Sequence, residues 1–258
     1  MNSRGQQLKA IDRLLTIMDE LREQCLWDKK QTFESLRHLT IEETYELSDA
    51  ILDRNLKEIK NELGDLLLHI AFYSKLGSEE KIFDIADVAN SISEKLIHRH
   101  PHIYGDLVVQ DEDEVKKNWE ALKLKEGKKS VLEGVPKGLP SLVKAQRIQD
   151  KAAGVGFDWE QPEQVWEKVQ EELAEFNTEV ENGSGNDREV EFGDLLFSMI
   201  NYARFLKINP DTALERTNQK FTKRFQYLEG KAKEQGKTLE QMTLTEMDLY
   251  WEEAKKEN

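Results

Sequence analysis

The stretches 41-IEETYELSDA-50 and 61-NELGDLLLHI-70 place Glu42, Glu43, Glu46, Glu62 and Asp65 among Ile41, Tyr45, Leu63, Leu66 and Leu67. Apolar residues at this spacing mark the inward side of helices, so carboxylates interleaved with them need an explanation. On a helix Glu42 and Glu43 lie one turn before Glu46, and all three share a face. Glu62 and Asp65 share a face in the same way on the next helix. The chain from Asp49 to Lys60 is long enough to finish one helix, turn near Arg54 and Asn55, and start an antiparallel partner. Two acidic edges then oppose each other.

The same arrangement occurs a second time. EETYELSDA at 42 recurs as EELAEFNTE at 171, and ELGDLLL at 62 recurs as EFGDLLF at 191. Each acid moves by one offset of 129 residues: Glu42 to Glu171, Glu43 to Glu172, Glu46 to Glu175, Glu62 to Glu191 and Asp65 to Asp194. Acids occupy 51 of 258 positions, so five matches at one given offset have a chance probability of about 0.0003. Upstream, WDKKQTFESL (27–36) resembles FDWEQPEQVW (157–166). Downstream, EKLIHRHPHIYG (94–105) resembles QKFTKRFQYLEG (219–230), aligning Lys95 with Lys220 and Arg99 with Arg224. The chain reads as a duplicated helical unit, and ENGSGND (181–187) is the second unit's turn.

Helical periodicity dominates elsewhere. Leu8, Ile11, Leu14, Leu15, Met18 and Leu21 form one apolar stripe, and similar stripes run through Ile51 to Ile59, Leu63 to Phe72, Ile85 to Ile97, Val165 to Phe176 and Phe192 to Phe205. Strand-like alternation is scarce, so the expected class is all-α. Residues 125–141, KEGKKSVLEGVPKGLPS, concentrate Gly, Pro and Lys without periodicity. They predict a linker between an N-terminal unit at 1–124 and a C-terminal unit at 142–258. A hydrophobic content of 38% supports a folded core, and a net charge of −14 disfavours nucleic-acid backbones and anionic lipid heads. No uncharged run is long enough to span a bilayer, and Arg4, Lys9 and Asp12 interrupt any signal-peptide core. Cys25 is the only cysteine, so a reducing cytoplasm is expected.

Clustered carboxylates without a cation repel one another, and some are forced to protonate. A hard divalent cation resolves the conflict; Mg²⁺, with Mn²⁺ as a substitute, prefers such oxygens and carries phosphates. Basic groups are then expected on the anion's other side, where Lys95 with Arg99, and Lys220 with Arg224, stand at i, i+4. Trp27 and Trp159 are candidates to stack on a base, with a buried structural tryptophan as the commoner arrangement. Gly64 and Gly193 cost helix stability, which points to close helix packing or, less commonly, to room for a ligand. A di-iron carboxylate bundle is excluded because Glu-x-x-His occurs nowhere.

At this point the residues match a family. EETYE, fifteen intervening residues and ELGD resemble the EExxE and ExxD signature of the MazG nucleoside triphosphate pyrophosphohydrolases. WDKKQTF, RHPHIYGD and WEALKLKE in the first unit, and VGFDW with KFTKRF in the second, resemble its two-domain members, so the likeness covers nearly the whole chain. The resemblance implies tandem all-α NTP pyrophosphatase bundles completed in a homodimer, and Mg²⁺-dependent hydrolysis of nucleoside triphosphates to monophosphate and pyrophosphate. It implies metal ligation by Glu43, Glu46, Glu62 and Asp65 in the first site and by Glu172, Glu175, Glu191 and Asp194 in the second. Glu42 and Glu171 would handle the attacking water. Lys95, Arg99 and Lys123, and Lys220 with Arg224, would contact the triphosphate. The first unit's basic flanks are the more complete, so it is expected to contribute to turnover. Alternatives are a related pyrophosphatase with one preferred nucleotide, such as dCTP, dUTP or a phosphoribosyl nucleotide, and a non-catalytic nucleotide-sensing module.

Overall fold

The computed structural model describes residues 1–111, 114–115, 118–119, 122 and 130–256. Among these residues the regular elements are all helical. The chain divides into two compact units, Met1–Gln110 and Asp111–Asn258. Of the expected linker, 125–129 lie outside the described residues, and its last residue, Ser141, opens a helix.

The first unit contains α1 (Arg4–Gln24), a 3₁₀ turn at Asp28–Lys30, α2 (Phe33–Leu52), α3 (Leu56–Glu79), α4 (Ile85–Arg99) and the short α5 (Pro101–Tyr104). The second contains α6 (Ser141–Ala153), α7 (Pro162–Asn182), α8 (Gly185–Phe205), α9 (Pro210–Glu234), a 3₁₀ turn at Leu239–Gln241 and α10 (Leu244–Ala254). Short polar caps start these helices. Reciprocal capping boxes pair Ser3 with Gln6, Thr32 with Ser35, Asp84 with Asp87, Ser184 with Asp187 and Thr243 with Glu246. Each box satisfies amide groups that a helix N-terminus leaves unpaired, at about 1 kcal/mol per cap.

The acid-bearing helices form a hairpin in each unit. In the first, Arg54 adopts a left-handed φ of 53° and the Asn55 side chain accepts from the Glu58 amide, which ends α2 and starts α3. The apolar stripe read from Ile51 to Ile59 is therefore not one helix: its spacing continues in sequence across a backbone that reverses direction. In the second unit Gly183 closes α7 and Ser184 caps α8, so the turn is narrower than the seven-residue stretch read for it.

Met18 from α1, Leu36 from α2, and Phe72 and Leu76 from α3 make the first unit's core, with Phe33, Leu39, Leu68 and Tyr73 packed against it. Val165, Val169, Ile200, Leu228 and Ala232 are buried in the second. The α1 stripe is only partly used: Met18 is buried, whereas Leu8 is exposed. Helix α4 buries none of its residues, leaving Val88, Ile92 and Leu96 exposed. Trp27 is not a buried structural tryptophan. It sits at the cap of a 3₁₀ turn and is 55% exposed, while the neighbouring Asp28 is buried and its carbonyl accepts from Arg22. No helix among the described residues is long and apolar enough to cross a membrane.

Candidate active site

Helices α2 and α3 bring one carboxylate oxygen each from Glu43, Glu46 and Glu62 within 4.8 Å of one another, and α7 and α8 do the same with Glu172, Glu175 and Glu191. Asp65 and Asp194, expected as fourth ligands, stand outside these triplets but act on them. Burial, and then the charges of Asp65, Glu46, Glu62 and Glu42, hold Glu43 above the usual carboxylate range. Glu62 is raised by desolvation and by Glu46 and Asp65. Glu191 is raised by desolvation and then by Glu175, Asp194 and Glu172. Each cluster is thus a close set of mutually repelling oxygen donors, a set that suits a hard divalent cation.

The glycines beside the acids do not serve close helix packing. A Cβ at Gly64 or Gly193 would meet nothing within 4 Å, so neither glycine is there to admit another element against its helix.

The two clusters differ in what adjoins them. In the second, the Lys168 ammonium lies 2.9 Å from Glu171 and 2.7 Å from Glu172, and these contacts push the lysine's pKa upward. Glu172 is buried, whereas Glu171 and Glu42 remain exposed. Lys168 was not singled out from the sequence, although its i, i+3 and i, i+4 spacing to Glu171 and Glu172 is legible there.

A cavity of about 480 Å³ opens beside this second cluster, within the roughly 300–1,000 Å³ range of small-ligand sites. Phe157, Trp159, Val165 and Phe197 give it apolar walls, and Gln149 and Asn201 give it polar ones. Glu172 and Asp194 line it as well, so the acidic cluster adjoins the cavity through Glu172. One wall is fixed by Arg204, which donates to both carboxylate oxygens of Asp158 and, from Nε at 3.0 Å, to Asn201 Oδ1. Such a bidentate fork holds both partners in one orientation.

At the equivalent positions, 129 residues earlier, the first unit carries bulkier or less polar side chains. Leu36 stands for Val165, Leu39 for Lys168, His69 for Ser198 and Phe72 for Asn201. Leu36 and Phe72 are buried at 1% and 3% exposure in the core cluster. His69 Nδ1 lies 2.8 Å from Thr40 Oγ1, which is also 2.7 Å from the Tyr73 hydroxyl. Burial lowers the His69 pKa against the pull of Asp65. What the second unit leaves as a cavity wall, the first fills as core.

The expected phosphate contacts are distributed unevenly. Lys95 and Lys220 are exposed and, among the described residues, make no ion pair with either cluster. Arg99 is half-buried at the end of α4. Arg224 on α9 lies 5.9 Å above the Trp251 ring, a residue the sequence reading passed over. Lys123 lies outside the described residues. Trp27 is part of neither cavity nor cluster, whereas Trp159 lines the cavity.

Comparison with known proteins agrees with the duplication. The model of the MazG nucleotide pyrophosphohydrolase domain matches twice, at residues 31–104 and 160–228. The chain is 43% identical over 249 residues to a nucleoside triphosphate pyrophosphohydrolase/pyrophosphatase MazG of Thermotoga maritima, covering 95% of each chain. It is 39% identical over 259 residues to a nucleoside triphosphate pyrophosphohydrolase of Escherichia coli, covering 97% of this chain and 98% of the relative. It is 48% identical to a Bacillus subtilis protein called YabN, over 90% of this chain and 48% of that one. With two domain matches and relatives of this identity along almost its full length, the chain belongs to the MazG nucleotide pyrophosphohydrolase family.

Proposed function

We propose that the chain hydrolyses nucleoside triphosphates to nucleoside monophosphate and pyrophosphate, that the reaction depends on Mg²⁺ or Mn²⁺, and that the second unit performs it. The observation that carries this reading is Glu172, which belongs to the acidic cluster and also lines the cavity, beside Asp194. A base in the cavity would bring its phosphates to the carboxylates. The similarity to nucleoside triphosphate pyrophosphohydrolases supports the reaction class.

Glu172, Glu175, Glu191 and Asp194 are the residues that would hold the metal, which, when bound, neutralises phosphate charge and acidifies water. Trp159 and Phe197 offer apolar surface to a base, and Asp158 with Arg204 holds that wall in place. Lys168 pairs with Glu172 and orients Glu171. In this arrangement Glu171 is the group placed to accept a proton from the attacking water. Lys220 and Arg224 on α9 are the candidates for triphosphate contact.

In the first unit Glu43, Glu46 and Glu62, with Asp65 beside them, would hold a metal in the same way, but Leu36 and Phe72 fill the place that corresponds to the cavity. The first-unit contribution expected from its basic flanks gives way to a second-unit site. The exposed apolar residues of α4, with Tyr45 and Leu63 on the first hairpin, are surface that a second copy of the chain would cover in a homodimer.

The test is product identity. With Mg²⁺ and ATP, GTP, CTP or UTP, chromatography is expected to show monophosphate and pyrophosphate in equal amounts, and chelation is expected to stop turnover. Release of diphosphate and orthophosphate would overturn the reading. Turnover of one nucleotide alone would replace broad specificity with a dedicated pyrophosphatase.

A further inference from the structure

The two acidic clusters correspond acid for acid, yet one cation separates them. On α7 the Lys168 ammonium lies 2.7 Å from Glu172 and 2.9 Å from Glu171, one turn along the same helix face. Glu172 is a member of the carboxylate triplet, and its side chain is 10% exposed, so little water screens the pair. In the first unit the residue equivalent to Lys168 is Leu39 on α2, which packs against the core of Met18, Leu36, Phe72 and Leu76. Glu43 and Glu62 there are raised by burial and then by neighbouring carboxylates, with no cation among the groups acting on them. Only the second set of donors already holds a positive charge.

An ammonium and a divalent ion cannot share Glu172 without cost. The metal either breaks the pair between Lys168 and Glu172 or settles beside a like charge. We propose that Lys168 is the resident cation of the second cluster, which a divalent metal has to displace, so that without nucleotide the first cluster binds metal more tightly than the second. This rests on the reading of both clusters as metal sites. Free metal then fills the first cluster, while the second, beside the cavity, is balanced by its own lysine until the metal concentration is higher.

The test titrates the full chain with Mn²⁺, without nucleotide, and follows the free ion by electron paramagnetic resonance. Wild type is expected to bind Mn²⁺ in two classes, with dissociation constants about tenfold or more apart. Glu46→Gln is expected to lose the tighter class and Glu175→Gln the weaker. Lys168→Met keeps the length of the side chain and removes its charge. It is expected to tighten the weaker class about tenfold and to leave the tighter one within about twofold. Lys168→Arg keeps the charge and is expected to keep the classes apart. A damaged fold weakens binding, so tightening is not a result that a merely structural lysine produces.

Equal affinities in wild type, or a tighter class that is lost in Glu175→Gln, would overturn the proposal. So would a weaker class unchanged by Lys168→Met. The metal reading fails separately: Mn²⁺ binding that is absent, or indifferent to both Glu46→Gln and Glu175→Gln, means that the clusters are not metal sites, and the proposal falls with them.

Discussion

Glu175→Gln is expected to lower nucleoside triphosphate turnover by about a hundredfold or more, while Glu46→Gln stays within about threefold of wild type. The substitutions are matched. Each occupies the same place in its repeat, each is exposed, and each replaces an anionic oxygen by an amide of the same shape. Their consequences differ because the second cluster adjoins a cavity able to take a base, whereas Leu36 and Phe72 fill the corresponding place beside the first. Steady-state kinetics with ATP and Mg²⁺ checks this, with circular dichroism confirming that both variants fold. Normal turnover in Glu175→Gln together with loss in Glu46→Gln would move the reaction to the first unit.

Phe72→Asn is expected to destabilise the first unit by about 3–5 kcal/mol. Phe72 is 3% exposed and packs with Met18, Leu36 and Leu76. The substitution installs the residue that the second unit carries at the equivalent position, but without Arg204 to bond it, since Lys75 occupies that place and pairs instead with Asp19 at 2.7 Å. A cavity opens and an amide enters an apolar core without its partner. Urea denaturation followed by circular dichroism measures the change. A loss below about 1 kcal/mol would mean that Phe72 is not the plug described here.

The hairpins and acidic clusters were legible in the sequence because three independent signals converged there. The acids share a helix face, they repeat at one offset, and Arg54 with Asn55 gives the polar turn that a reversal needs. The cavity was not legible, for a physical reason. Its walls come from segments far apart in the chain: Gln149 on α6 reaches the Phe197 carbonyl across 48 residues, and no local pattern announces that contact. The decisive contrasts lay in plain view within the repeats, as Leu39 against Lys168 and Phe72 against Asn201. The tryptophans misled because hydrophobicity measures a preference for burial and not whether neighbouring chain is available to cover the ring. Trp27, at the edge of a short 3₁₀ turn, has little to cover it. The glycines misled in the opposite sense. Their cost to the helix is real, but at Gly64 and Gly193 no other element comes close enough to need it.

The central claim is that the duplicated acidic clusters serve one nucleotide site, in the second unit, because the first unit has filled the space beside its own. Calorimetric titration of the full chain with α,β-methylene ATP and Mg²⁺ measures this most directly, since the analogue blocks cleavage at the α-phosphorus. The account predicts one nucleotide bound per chain, with binding retained in Glu46→Gln and lost in Asn201→Phe, which places the first unit's plug in the second. Two equivalent nucleotides per chain, or binding that survives Asn201→Phe and disappears in Glu46→Gln, would contradict it.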